Sequence, residues 1–165
     1  AVRSCRIAAK RLNYYIRTYI VYELIVHDDA SDDLERILEH DYPAGVALVA
    51  LLEELENNQD LMDRLTQHGF GGRPAQPKPR TAVFNVSKWI EAQTKDMNLW
   101  RVRGFDDECS RYRCIYAYQP LIDRYIILGI GRKVDKATTI EEFDYELDSD
   151  LSRRIQAAYR RLMED

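Results

Sequence analysis

Leu99-Trp100-Arg101-Val102-Arg103 alternates apolar and basic residues with the period of a half-buried strand. Trp100 and Val102 suit a core, so Arg101 and Arg103 share the opposite side. After the interval 104–111, Tyr112-Arg113-Cys114-Ile115-Tyr116 opens a second strand-like run, and a hairpin between the two brings Arg113 near Arg103. Guanidiniums on neighbouring strands repel one another unless carboxylates or an anion lie among them. Two readings follow. Asp106, Asp107 and Glu108 of the connecting loop neutralise the arginines, or the cluster is an anion site whose rigid N–H forks suit a phosphate.

A second basic segment is 71–80, which holds Arg73, Lys78 and Arg80, three prolines, two glycines and no acid. It reads as a loop or mobile connector, either simply solvated or able to close on a phosphate backbone. The chain as a whole is acidic, with 24 Lys and Arg against 28 Asp and Glu and a net charge of -4. Residues 1–20 hold five of those basic residues (Arg3, Arg6, Lys10, Arg11, Arg17) and no acid, so a nucleic-acid site elsewhere has to be a local patch. That basic, tyrosine-rich leader is expected to fall outside the domain, with an RNA-contacting arm or a targeting segment as the other readings. The domain then spans 21–165.

Other chemistries find little support. Cys5, Cys109 and Cys114 are odd in number and lack C-x-x-C spacing, so reduced thiols are expected, with neither disulfides nor zinc. His27, His40 and His68 lack ligand spacing, and no metal or other cofactor is expected. The 45% hydrophobic and 32% charged fractions are those of an ordinary globular chain. No apolar run approaches the roughly 20 residues that span a bilayer, and no signal-peptide core is visible. A cytoplasmic protein without membrane association is the expectation.

The positioning elements follow from periodicity. Tyr22 to His27 reads as a first strand, Ser31-Asp32-Asp33 as the cap of a short helix carrying Leu34, Ile37 and Leu38, and Asp41-Tyr42-Pro43 as its end. A second helix from Ala44 to Glu56 presents Leu48, Leu51, Leu52 and Leu55. Asp60 caps a further turn or two, and Gly69 stops the run. Strand-like runs follow at Val83–Trp89, Leu99–Arg103, Tyr112–Tyr118 and Tyr125–Ile130, the last apolar on both faces and therefore interior. Gln119 to Asp123 is a turn between antiparallel partners, 131–148 is polar and irregular, and a helix from Asp150 to Met163 closes the chain. This order predicts an α+β fold, a small mostly antiparallel sheet with N-terminal helices on one face and a C-terminal helix, the helices segregated to one side of the sheet.

With these residues in order, the chain from about 21 to 160 resembles the RelE/ParE toxins of type II toxin–antitoxin systems. The resemblance rests on Tyr22-Glu23-Leu24-Ile25-Val26-His27-Asp28-Asp29-Ala30, Asn98-Leu99-Trp100-Arg101-Val102-Arg103, Tyr112 to Tyr118, the apolar strand ending in Gly131-Arg132-Lys133, and Phe143-Asp144-Tyr145. It implies a RelE-like fold and a metal-independent endoribonuclease that cuts mRNA at the ribosome. It matches Arg101, Arg103 and Arg113 to that family's basic catalytic positions, Arg132 or Lys133 to a basic pair after the last strand, and Tyr145 to a tyrosine beyond it. Lys133 and Tyr145 then join the three arginines as candidate catalytic residues, and Arg132, Arg80 and Lys78 are candidate substrate-binding residues. Arginines stand where the RNA-cutting members often carry lysines, and an insertion from Val134 to Glu142 precedes Tyr145.

The cut needs a 2′-OH deprotonated, charge stabilised on a pentavalent phosphate and a 5′-oxygen protonated. Arginine serves the second need, whereas proton transfer falls to Tyr145 or Lys133. Other branches of the family imply inhibition of DNA gyrase by protein contact, and a third reading is a relative that only binds. All of them imply a cognate antitoxin as partner.

Overall fold

The apolar run Tyr125–Ile130 lies within a ten-residue strand around which the other elements assemble. The computed structural model describes residues 20–133 and 142–165. The expectation for the leader therefore lies, up to residue 19, outside the described residues, as does most of the expected insertion before Tyr145. The strands are β1 (Glu23–Val26), β2 (Gly71–Arg73), β3 (Gln76–Lys78), β4 (Phe84–Lys88), β5 (Leu99–Gly104), β6 (Tyr112–Gln119), β7 (Arg124–Lys133) and β8 (Glu142–Phe143). The helices are α1 (Asp28–His40), α2 (Tyr42–Glu56), α3 (Gln59–Asp63), α4 (Ile90–Gln93) and α5 (Asp150–Glu164), with a 3-10 turn at Arg64–Thr66.

The main sheet has the order β1-β7-β6-β5-β4, with β8 also paired to β7. β1 and β8 run parallel to β7, and the other pairings are antiparallel, so the fold is α+β with a mostly antiparallel sheet. The expected β6–β7 hairpin and the interior place of β7 are both present.

Each sheet face has its own core. Trp100, Val102, Cys114, Tyr116, Tyr125 and Ile127 pack with Ile37 of α1 and with Leu48, Leu52 and Leu55 of α2. Leu99, Ile115, Ala117, Ile126 and Leu128 face the other way, onto Leu151, Ile155, Ala158 and Tyr159 of α5. Helices therefore cover both faces, not one as expected. The physical reason is that β6 and β7 are apolar on both sides, and leaving one side open would expose a large hydrophobic surface. α5 covers only part of that second face.

Three local differences from the sequence reading have clear causes. α1 starts at Asp28 because His27 caps it, its Nδ1 accepting the Asp29 N–H at 3.2 Å. Pro43, read as the end of one helix, sits in the first turn of the next, where a missing N–H costs nothing. The 71–80 segment is a hairpin, not a loop: Gly71 and Gly72 adopt positive φ, and Pro77 pairs with Gly72 in a strand short enough to tolerate it.

β7 extends past the end of β1, and Asp33 of α1 occupies the gap. Its buried carboxylate accepts the Ile130 N–H at 2.9 Å, Arg36 at 2.5 Å and Arg154 of α5 at 2.5 Å. Asp33→Ala removes the shared acceptor of three donors and is expected to cost about 3–5 kcal/mol, read from guanidinium unfolding with helical signal retained in the native baseline. Burial pushes the Cys109 thiol up to about 11 and the Cys114 thiol up to about 12. Both are expected to resist alkylation in the native protein at about pH 8 and to react once unfolded, as peptide mass spectrometry reads. The same shifts have a sign in stability. An unfolded chain releases these protons first, so stability falls as pH rises from about 9 towards 11.

Candidate anion site

Register places the three arginines together. β5 and β6 pair Arg101 with Ile115 and Val102 with Cys114, and one further step sets Arg103 opposite Arg113. Ile115 belongs to the α5-side core, so all three arginines lie on that face, beyond the part α5 covers. Gly131 stands opposite Arg113 on β7 and adds no side chain there. An extra residue at Leu128, a bulge between the Ile115 and Tyr116 pairings, sets this phase.

The expected neutralisation by Asp106, Asp107 and Glu108 does not occur. Asp106 instead builds the 105–111 turn, accepting the Glu108 N–H at 2.9 Å on its carboxylate and the Cys109 N–H at 3.1 Å on its carbonyl. Cys109 is buried beneath that turn, and a Cβ at Gly104 would come within 2.8 Å of its sulfur. Anchored in this way, the turn presents the Ser110 carbonyl to both Arg103 Nε and Arg113 Nη1, each at 2.9 Å.

Arg113 is only 4% exposed, yet its guanidinium meets oxygens without formal charge: the carbonyls of Ser110 and Tyr112, and the Tyr145 hydroxyl, which accepts from Nε at 3.1 Å. Arg101 Nη1 donates to Asn85 Oδ1, while its Nε is buried without a partner. Among the described residues no carboxylate forms an ion pair with Arg101, Arg103 or Arg113. Burial pushes the Arg101 pKa down, with Tyr145 opposing and Arg113 reinforcing that change. Burial lowers Arg103 as well, followed by Arg113 and Arg101. Guanidiniums remain protonated through such shifts, so the cluster is a concentrated positive charge with unspent donors. An arriving anion relieves the mutual repulsion and satisfies those donors.

Tyr145 is held from behind. Its ring meets Phe143 edge-on at 4.6 Å, Phe143 meets Trp89 at 5.0 Å, and Trp89 Nε1 donates to the Tyr145 carbonyl at 2.9 Å. Its backbone has φ of 65°, a left-handed conformation that costs a non-glycine residue roughly 1 kcal/mol or more and persists only where the surroundings enforce it.

The other sequence candidates are not among the residues bonded to the cluster. Arg132 pairs with Tyr112, whose hydroxyl reaches Asp41 on the helical side, so Arg132 faces away from the cluster. Lys133 ends β7, exposed; alternation from Gly131 puts it on the arginine face, beside Phe143 of β8, and its N–H donates to the Arg111 carbonyl. Lys78 and Arg80 are exposed on and just after the β2–β3 hairpin at the far edge of the sheet. Asn85, Ser110 and Trp89 were not anticipated as parts of the site. Phe84-Asn85-Val86-Ser87 alternates as β5 does, and that period alone puts Asn85 on the arginine side.

Among the described residues no group of histidine, cysteine or acidic side chains is arranged to hold a metal, and no helix is long and apolar enough to cross a membrane. Compared with protein-family models, curated proteins and solved structures, the chain matches none. Inorganic phosphate at matched ionic strength is expected to raise Tm by about 2–4 °C over chloride, a shift that Arg103→Gln reduces and Arg113→Gln abolishes, as scanning calorimetry reads.

Proposed function

We propose that the protein is the toxin of a type II toxin–antitoxin system and cleaves mRNA at the Arg101–Arg103–Arg113–Tyr145 cluster. One observation carries the reading: three guanidiniums and a phenol converge on one sheet face, and among the described residues no carboxylate pairs with them. The resemblance to RelE/ParE toxins supports it, since the same residues were matched there on sequence order. The order of strand, two helices, antiparallel strands and closing helix is in keeping with that family. The family likeness also points to translated mRNA on the ribosome as substrate and to a small antitoxin as partner.

The chemistry follows from the residues. The ribose 2′-oxygen, its proton passing to solvent, attacks phosphorus, and the bond to the 5′-oxygen breaks. The phosphorane carries more charge than the diester, so fixed guanidinium donors bind the transition state more strongly than the ground state. Tyr145 Oη accepts from Arg113 and keeps its own proton to donate to the departing 5′-oxygen. The products are a 2′,3′-cyclic phosphate and a 5′-hydroxyl, and solvent restores the phenol proton.

A second reading, inhibition of DNA gyrase by protein contact, draws on a specific feature: among the described residues neither a histidine nor a carboxylate hydrogen-bonds the cluster to accept the 2′-OH proton. In a translation extract, cleavage of the message is expected, insensitive to chelator. It should fall about 10²–10³-fold in Arg113→Ala and about 10²-fold or more in Tyr145→Phe. An uncut message together with loss of gyrase supercoiling would establish the second reading instead.

A further inference from the structure

The β2–β3 hairpin is tied to the arginine cluster in a way its sequence did not indicate. Residues 68–72 lie along the outer edge of β4: the Gly69 N–H donates to Val86 O at 2.9 Å, and the Val86 N–H to Phe70 O at 3.0 Å. Gly71, with φ of 89°, runs so close to β4 that a Cβ there would sit 1.9 Å from Phe84 O. Asn85 then joins hairpin to cluster, donating from Nδ2 to Gly72 O at 2.9 Å and accepting from Arg101 on Oδ1. Two neighbouring groups are thus held by one amide.

Read across the strands, Lys78 pairs with Gly71, Gly71 abuts Asn85, Asn85 pairs with Arg103, and Arg103 adjoins Arg113. Four interstrand steps span on the order of 20 Å. At the outer end Arg73, Lys78 and Arg80 are exposed and form no ion pair among the described residues, and a hollow lined by Ala75 to Arg80 opens beside them. Between the two groups of cations β4 offers Asn85 and Ser87 on the arginine side and no acid.

We infer that this hairpin is a second phosphate subsite, so that the site takes a single RNA strand several nucleotides long, gripped at Lys78 and Arg80 while the scissile phosphate sits at the cluster. The inference rests on the proposed nuclease reading. Backbone phosphates are the common feature that separated cations can grip, so the hairpin contributes length dependence and salt dependence rather than base selection.

The test uses non-cleavable 2′-O-methyl RNA, as a trinucleotide and as a dodecanucleotide, with binding followed by fluorescence anisotropy across a salt series. Lys78→Gln combined with Arg80→Gln changes exposed side chains only, and an unchanged Tm checks the fold. The double variant is expected to bind the dodecanucleotide roughly tenfold more weakly. Its slope of log affinity against log salt should flatten by about 1.4, the value for two contacts to a single strand. Trinucleotide binding stays at the wild-type level, whereas Arg103→Gln weakens both. If the double variant binds the long strand as the wild type does, or loses the trinucleotide equally, the hairpin subsite is wrong and the cluster reading stands. If the wild type binds neither strand, both fall.

Discussion

Asp33 is the interaction on which the architecture turns. β7 is paired by β1 over its first half and by β8 at its end, and between them its edge would present a bare N–H inside the protein. A buried donor left without an acceptor costs about 1–3 kcal/mol, and α1 supplies a carboxylate at that point. A carboxylate so buried needs cations, which come from both sides: Arg36 from α1 itself and Arg154 from α5 on the opposite face. One side chain thereby fastens the two helical layers across the sheet edge. The site depends on this indirectly, because Asp33 helps fix where α5 packs on the face that carries Arg101, Arg103 and Arg113.

The fold also resolves the tension between an acidic chain and an anion site. Twelve acidic residues and one basic one, Arg36, lie between positions 28 and 63, the stretch that forms α1, α2 and α3. The arginine cluster lies on the far side of the sheet, and Arg153, Arg160 and Arg161 are exposed on α5, which packs on that same side. Most of the acidic helical surface thus lies on the sheet face opposite the cluster, although Asp144, Glu146 and Asp148 are exposed beside Tyr145 on the cluster's own side.

Much of the fold was legible because period-two alternation and leucine spacing report directly on which side of an element meets a core. Alternation placed Arg101 and Arg103 on one face and the expected hairpin brought Arg113 near them, while their role as a site rested on the family resemblance. That no carboxylate among the described residues pairs with them was not legible, because whether Asp106 bonds an arginine or a turn N–H depends on the angle at which one loop leaves its strand. Covering of both faces by helices was hidden for a related reason. The apolar character of β6 and β7 on both sides was visible, but which elements cover the second side, here α5 with Trp89, Ala92 and Phe143, is settled only by tertiary packing. Asn85 was within reach, since β4 alternates as β5 does. The hairpin at 71–80 was obscured because glycine and proline mark breaks in most contexts, and only docking against β4 turns them into a pair of short strands.

Arg113 and Tyr145 together show why this geometry favours charge that develops during a reaction over charge already present. A guanidinium at 4% exposure has lost most of its hydration, and the carbonyls of Ser110 and Tyr112 replace water without neutralising it. Dipoles fixed by the fold do not need to reorganise when a negative charge grows beside them, which is the condition under which electrostatic stabilisation of a transition state is greatest. A carboxylate in the same place would have made the cluster more stable and would have cancelled that effect. The left-handed backbone of Tyr145 is consistent with this. Trp89 and Phe143 hold the residue in a conformation it would otherwise avoid, and the hydroxyl is thereby kept beside Arg113. The outcome is a concentrated positive charge, fixed by neutral oxygens, whose remaining donors an anion would complete.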